Sequence, residues 1–221
     1  MPEPIRIFGY GSLIFKVDFP YKTAQPGYID GFVRRFWQAS WDHRGTHESP
    51  GRVVTLVSKA SKTVEGQLGD YEANHRVFGM VYELDPETQA LTLAGTLAPS
   101  HETNSRSIQA ETMAHLDFRE KAGYTKDEIT VYRDADGDAV LYENCVLYRG
   151  EESVEEFIGP ESLDATARIV ATSTGPSGKN TEYLFKLVAV LKEHGVCDDY
   201  TEALAGQVTQ HCGVPSVTRP E

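Results

Sequence analysis

The sequence predicts an α+β fold, and three observations carry the prediction. Segments rich in β-branched and aromatic residues come mostly first, helical periodicity comes mostly last, and 221 residues with 40% hydrophobic side chains suit a single core. The chain is accordingly read as one domain over residues 1–221. Strands are expected at Ile5–Tyr10, Arg52–Val57, Val77–Leu84, Ile129–Arg133 and Ala139–Tyr148, each bounded by Gly, Asp or Pro, and together they form a sheet of five or so strands. Asp134-Ala135-Asp136-Gly137-Asp138 between the last two is a hairpin turn. Residues 85–110 are rich in Thr, Ala, Ser and Glu without a clear period, and are read as an insertion or mobile loop.

The helices follow from spacing and from their stop signals. Leu184, Leu187, Val188 and Leu191 fall at i, i+3, i+4 and i+7, with Asn180 or Thr181 as the cap and Gly195 as the stop, so this helix packs on the sheet. Pro160 opens a second helix through Leu163 and Val170, and Thr201 to about His211 forms a weaker third. A fourth, Glu111–Lys121, is closed by Gly123.

Composition narrows the function. A net charge of −12 repels nucleic acid and anionic membrane, so neither is an expected partner. No apolar run is long enough to cross a bilayer and no signal-peptide pattern stands at the N-terminus, which predicts a cytoplasmic protein. Cys145, Cys197 and Cys212 are widely spaced, without CxxC or zinc spacing, and are expected as reduced thiols.

Two segments point to a small anionic ligand. In Ile7-Phe8-Gly9-Tyr10-Gly11-Ser12-Leu13 a short apolar strand breaks into a glycine-flanked turn, where backbone can approach a ligand closely and aim N–H groups at an anion; Ser12 adds a hydroxyl. Between Phe32 and Val57, Arg34, Arg35, His43, Arg44 and Arg52 stand among only Asp42 and Glu48, together with Trp37 and Trp41. Indoles that close to arginines predict a partly buried loop facing a ligand or the core.

One carboxylate, Glu120, stands in an unusual place. Met113, Leu116 and Glu120 fall at i, i+3 and i+7, which puts the carboxylate on the apolar stripe of its helix, in the last turn, at the negative end of the dipole. Burial and the dipole both oppose its ionisation and raise its pKa. Competing chemistries fit less well. Ser12 lacks the GxSxG elbow and a matching Asp/His order, and His43 and His47 lack the HExxH glutamate, so neither a serine hydrolase nor a metal site is expected.

Six blocks in order carry a resemblance. They are Phe8 to Leu13, Gly31 to Gln38, Asp42 to Thr46, Pro50 to Leu56, Leu116 to Tyr124, and Gly175 to Gly178 with Glu182-Tyr183-Leu184. Spanning nearly the whole chain, they resemble the ChaC-like γ-glutamylcyclotransferases. The resemblance implies a compact mixed β-barrel with flanking helices, and cleavage of glutathione to 5-oxoproline and cysteinylglycine without a cofactor. The expected assembly is a monomer or weak homodimer. The resemblance also implies that Ile7 through Ser12 hold the γ-glutamyl group and that Glu120 is the general base. Leu13 and Tyr183 are further candidates for the substrate site, and so are Arg35, Arg44 and Arg52, because a protein of net charge −12 must gather positive charge locally to keep an anion. The departures are the insertion at 85–110 and Thr46-His47-Glu48-Ser49, where the family more often has a proline after the threonine. Other γ-glutamyl amines as substrates, or a regulatory module that binds γ-glutamyl groups without turnover, remain the alternatives.

Overall fold

The computed structural model describes residues 4–67, 76–84, 112–114, 116–117 and 124–213. Seven main strands run in chain order as β1 (Arg6–Gly9), β2 (Tyr21–Ile29), β3 (Phe32–Ser40), β4 (Gly51–Ser58), β5 (Val77–Leu84), β6 (Tyr124–Tyr132) and β7 (Val140–Gly150). Thr174–Gly175 and Gly178–Lys179 add a small hairpin, β8–β9, and the helices are α1 (Leu163–Thr172), α2 (Asn180–Glu193) and α3 (Asp199–His211). Residues 112–114 and 116–117 are helical, within the span expected of a helix at Glu111–Lys121.

Five strands close into a barrel in the order β1-β5-β2-β6-β7. Its pairs are antiparallel except for the seam, where β1 runs parallel to β7 with Ile7 opposite Val146 and Phe8 opposite Leu147. Closure removes the sheet edges that an open arrangement would leave unpaired. β3 and β4 form a separate hairpin, so the strand expected at Arg52–Val57 exists but does not join the sheet of the others. Its Phe36, Val54 and Leu56 instead enter a core shared by Phe8 and Leu147 of the barrel and Leu184, Leu187 and Leu204 of the helices. The hairpin is thus the layer between barrel and helices.

Of the seven main strands, β2 and β3 went unforeseen, as did the short pair β8–β9. Pro26 and Gly27 interrupt β2, and its first half is mostly exposed, so it carries little apolar alternation. In β3 the sequence FVRRFWQAS hides a strand whose residues after Phe32 are all buried, Arg34 and Arg35 included. The basic segment expected to be a loop is therefore largely two paired strands joined at 41–50, although its expected burial is found.

The helices hold closer to expectation. Leu184, Leu187 and Leu191 are fully buried on α2, and Gly195, with φ +71, donates to the Lys192 carbonyl as the stop. Lys179, not Asn180 or Thr181, is the N-cap. The Asn180 side chain instead accepts from Arg52 N at 2.6 Å and donates to Arg52 O at 2.8 Å, tying the start of α2 to β4. α1 begins after Ser162, whose hydroxyl accepts from Ala165 N, three residues later than Pro160 suggested. The 85–110 segment lies outside the described residues.

Candidate active site

β1 ends at Gly9, and Ser12–Ile14 form one turn of 3-10 helix, with Ile14 N donating to Gly11 O at 3.0 Å. The glycines here are demanded by space. A Cβ on Gly9 would stand 2.5 Å from Leu13 Cβ, and one on Gly11 would stand 2.8 Å from Val54 Cγ1 and 3.2 Å from the Tyr183 hydroxyl. The backbone therefore comes as near to its surroundings as a chain can without side chains.

Around this turn is a small pocket lined by Phe8 to Leu13, Val54, Tyr124, Tyr148 and Tyr183. Four parts of the sequence meet there: the β1 turn, β4, the β6–β7 pair and α2. Ile7 is not in the lining; it is fully buried on the other side of β1 with Phe19, Tyr82, Leu84 and Leu116. Tyr183 packs edge-on against Phe15 and Phe36, at 5.9 and 5.8 Å, which fixes its ring at the pocket wall. Beneath the turn, Tyr82 donates to the Leu13 carbonyl at 2.6 Å. Burial, and to a lesser degree Tyr21, pushes the Tyr82 phenol up to about 12, so it stays a neutral donor.

The three arginines singled out from the sequence lie outside that lining. Arg44 is nearest: its guanidinium sits 5.8 Å from the centre of the Tyr183 ring, donates to Lys179 O at 3.0 Å and faces Glu182 at 3.6 Å. Arg52 makes a two-pronged pair with Glu161, at 3.0 and 2.9 Å. Arg35 is buried, donates to the Arg34 carbonyl at 2.8 Å and lies 4.7 Å over the Tyr200 ring. A larger cleft of about 430 Å³ lies between the end of the β3–β4 hairpin and α1; it takes in Arg52, and its lining shares no residue with the pocket at the glycine turn.

Glu120 lies outside the described residues. Of the stripe that carries it, Leu116 is fully buried and Met113 packs against the same cluster, with Ile7, Tyr82 and Tyr148. Asp117 next to them accepts from the Tyr148 hydroxyl at 2.5 Å. His43 meets Ser177 at 3.2 Å and His47 stacks on Trp41, in separate contacts. Among the described residues no group of three or more His, Cys, Asp or Glu is placed to hold a metal ion. None of the three thiols is in a disulfide: Cys145 is buried, which raises it to about 11, and Cys197 and Cys212 are exposed.

Sequence reasoning did not single out Val54, Tyr124, Tyr148 or Tyr82. Val54 and Tyr124 stand inside two of the quoted blocks, whereas Tyr148 and Tyr82 are ordinary strand tyrosines whose place emerges only from the register of β7 and β5.

The pattern of the family described as ChaC-like protein matches residues 5–105 and 103–211, nearly the whole chain. The chain belongs to the ChaC-like family. Its relatives include a glutathione-specific γ-glutamylcyclotransferase of Saccharomyces cerevisiae, 33% identical over 94% of this chain and 97% of that protein. Another of that description from Schizosaccharomyces pombe is 32% identical over 84% of this chain and 82% of its own. A crystal structure of the yeast γ-glutamyl cyclotransferase specific to glutathione superposes with a TM-score of 0.77 at 31% identity, covering 95% of this chain and 97% of the other. The ChaC-like barrel and flanking helices thus agree with the architecture implied by the sequence blocks.

Proposed function

We propose that this chain is a glutathione-specific γ-glutamylcyclotransferase, a cofactor-independent lyase that releases 5-oxoproline and cysteinylglycine. The observation that carries the reading is the pocket at Phe8 to Leu13, where backbone unobstructed by side chains faces a wall of Tyr124, Tyr148 and Tyr183. Such a pocket suits the compact, doubly charged end of a γ-glutamyl group, which offers both an α-amine and an α-carboxylate. Likeness to glutathione-specific relatives over most of the chain supports glutathione as the substrate. No helix among the described residues is long and apolar enough to cross a membrane, and the cytoplasm, where glutathione is abundant and thiols stay reduced, is the compartment that suits the reading.

The reaction needs few groups. The substrate's α-amine attacks its own γ-carbonyl carbon, forming the ring C–N bond. The tetrahedral intermediate then expels the cysteinyl amine as the old amide C–N bond breaks. Ring closure is intramolecular, a class with effective molarities up to about 10⁵ M or more, so folding the substrate supplies much of the acceleration. An α-amino group titrates near about 7.7–8.0, and Glu120 is the acceptor for its proton, then the donor to the departing amine. N–H groups of the turn after Gly9 stabilise the oxyanion. Tyr183 contributes through its place against Gly11, whereas Ile7, paired in the barrel to Tyr82 and Val146, supports the turn from within its strand.

The test is incubation of the purified protein with reduced glutathione, following 5-oxoproline and cysteinylglycine by chromatography. Equal amounts of both products are expected, at an unchanged rate after EDTA treatment. Turnover of other γ-glutamyl peptides but not glutathione would overturn the substrate assignment, and no turnover of any would overturn the reaction.

A further inference from the structure

The cleft between the end of the β3–β4 hairpin and α1 holds about 430 Å³, within the range of roughly 300–1,000 Å³ usual for small-molecule sites. Pro50, Ile158 and Ile169 give it apolar walls, and Trp41 adds an indole on which His47 stacks at 5.6 Å. Its one cation is Arg52, whose charge the two-pronged pair with Glu161 already neutralises. Its other charged groups are the carboxylates of Glu48 and Glu155, and neither is ion-paired with a described residue. Glu48 is held below its ordinary range by its own backbone N–H and then by the Thr46 hydroxyl, so it stays ionised at neutral pH. Deeper in the lining, Ser173 is 4% exposed and its hydroxyl reaches only the Pro50 carbonyl, at 3.5 Å. That distance is the outer limit of a hydrogen bond, and the Ser173 oxygen keeps its capacity to accept one.

The lining therefore combines two uncommitted negative charges, open acceptor oxygens, an aromatic face and aliphatic walls, with no positive charge left over. An anion would be repelled there, and a neutral apolar guest would strip water from the carboxylates without pairing them. We infer that this cleft is a second ligand site, which takes a short aliphatic chain carrying two ammonium groups. Glu48, Glu155 and the Trp41 face meet the charge, and Pro50, Ile158 and Ile169 cover the chain. A molecule of net charge −12 also draws such a dication toward its surface. The cleft shares no lining residue with the pocket at the glycine turn, so the inference stands apart from the γ-glutamyl reading.

The test is a titration of the purified protein with 1,4-diaminobutane, followed through the indole N–H resonance of Trp41, with Trp37, which is buried outside the cleft lining, as the internal reference. Saturable shifts confined to Trp41 are expected, with Kd of about 1 mM or below. E48Q/E155Q should weaken binding by about tenfold or more. E143Q/E193Q makes the same change in net charge at exposed carboxylates outside the cleft and should leave Kd within about twofold. 1,4-Butanediol, the same chain without charge, should not bind up to about 10 mM. Three results would each overturn the inference: no saturable shift at Trp41, equal weakening in both double variants, or butanediol binding as well as the diamine. The second would mean diffuse attraction to an acidic surface, and the third a merely apolar cavity. Should E48Q/E155Q fail to fold, E155Q alone decides, with a loss of about threefold or more expected and wild-type affinity overturning the site.

Discussion

The glycine turn after β1 and the arginine-rich β3–β4 hairpin both invite an anion in the sequence, and they meet that invitation in opposite ways. At the turn there is no charge, only backbone brought close by the absence of side chains, and the result is a pocket. On the hairpin there is abundant charge, but Arg52 is engaged by Glu161, Arg35 by a carbonyl and an aromatic face, and Arg34 by Asp198 and the Phe78 carbonyl. Buried guanidinium groups are costly unless partnered, so burial itself commits them to structure. A count of positive residues measures charge; it does not measure charge still available to a ligand.

The sharpest way to probe that contrast is to disable the chemistry proposed for the turn. E120Q, which keeps shape and removes the proton acceptor, should lower kcat by about 10²–10⁴-fold with an unchanged Tm. Near-normal activity in the folded variant would end the assignment. G11V comes next: its new side chain would collide with Val54 and Tyr183, so affinity for a non-cyclising γ-glutamyl analogue should fall by about tenfold or more, read by calorimetry. Unchanged affinity would place the ligand elsewhere.

On the hairpin the expected signature reverses. R52Q removes the charged partner of the largely buried Glu161 carboxylate and leaves it only the hydroxyl of Thr166, which should cost about 2 kcal/mol and lower Tm by about 4–8 °C while KM stays at the wild-type value. A raised KM with an unchanged Tm would erase the distinction between the two regions. Arg44 is the intermediate case, a cation one ring away from the pocket. R44Q should raise KM by about two- to fivefold with kcat nearly unchanged, and an effect that fades at high salt would mark it as electrostatic.

The support beneath the turn should act on stability alone. Tyr82 ionises at 10.0 in an ordinary setting and at about 12 here, so the stability its neutral phenol lends is whole below pH 10 and is lost as pH climbs from there to about 12. Y82F removes the bond to Leu13 O and should cost about 1 kcal/mol at neutral pH, with a shallower alkaline decline in Tm than the parent protein. Parallel declines would show that Tyr82 does not govern it.

What the sequence made legible was whatever is encoded locally. The stripe of α2 is visible because a helix repeats its burial every turn, and the β6–β7 hairpin because Asp134 to Asp138 announces its own turn. The glycine turn was legible for the same reason. β3 was legible as buried but not as a strand, because its paired arginines break the alternation of a strand until Asp198, Tyr200 and Phe78, distant in sequence, supply their partners. Nor was the pocket's far wall: Tyr148 enters through strand pairing, and nothing in its neighbours along the chain says which residue it will face. Periodicity singled out Glu120 from a helical stripe whose described members, Met113 and Leu116, pack inward together, while Glu120 itself lies outside the described residues.

The parallel seam of the barrel has a consequence in time. Ile7 and Phe8 lead directly into the glycine turn, yet their β7 partners, Val146 and Leu147, lie far along the chain. At about 5–20 residues per second, a ribosome needs on the order of ten seconds to make the intervening stretch of roughly 140 residues. Until then the first strand has no seam to join, and the pocket's wall at Tyr148 and Tyr183 has not been made. The nascent chain therefore carries an apolar strand with an unmet edge for most of its synthesis, and contacts of such long reach slow the final closure. The turn is among the earliest parts translated and among the last to become a site.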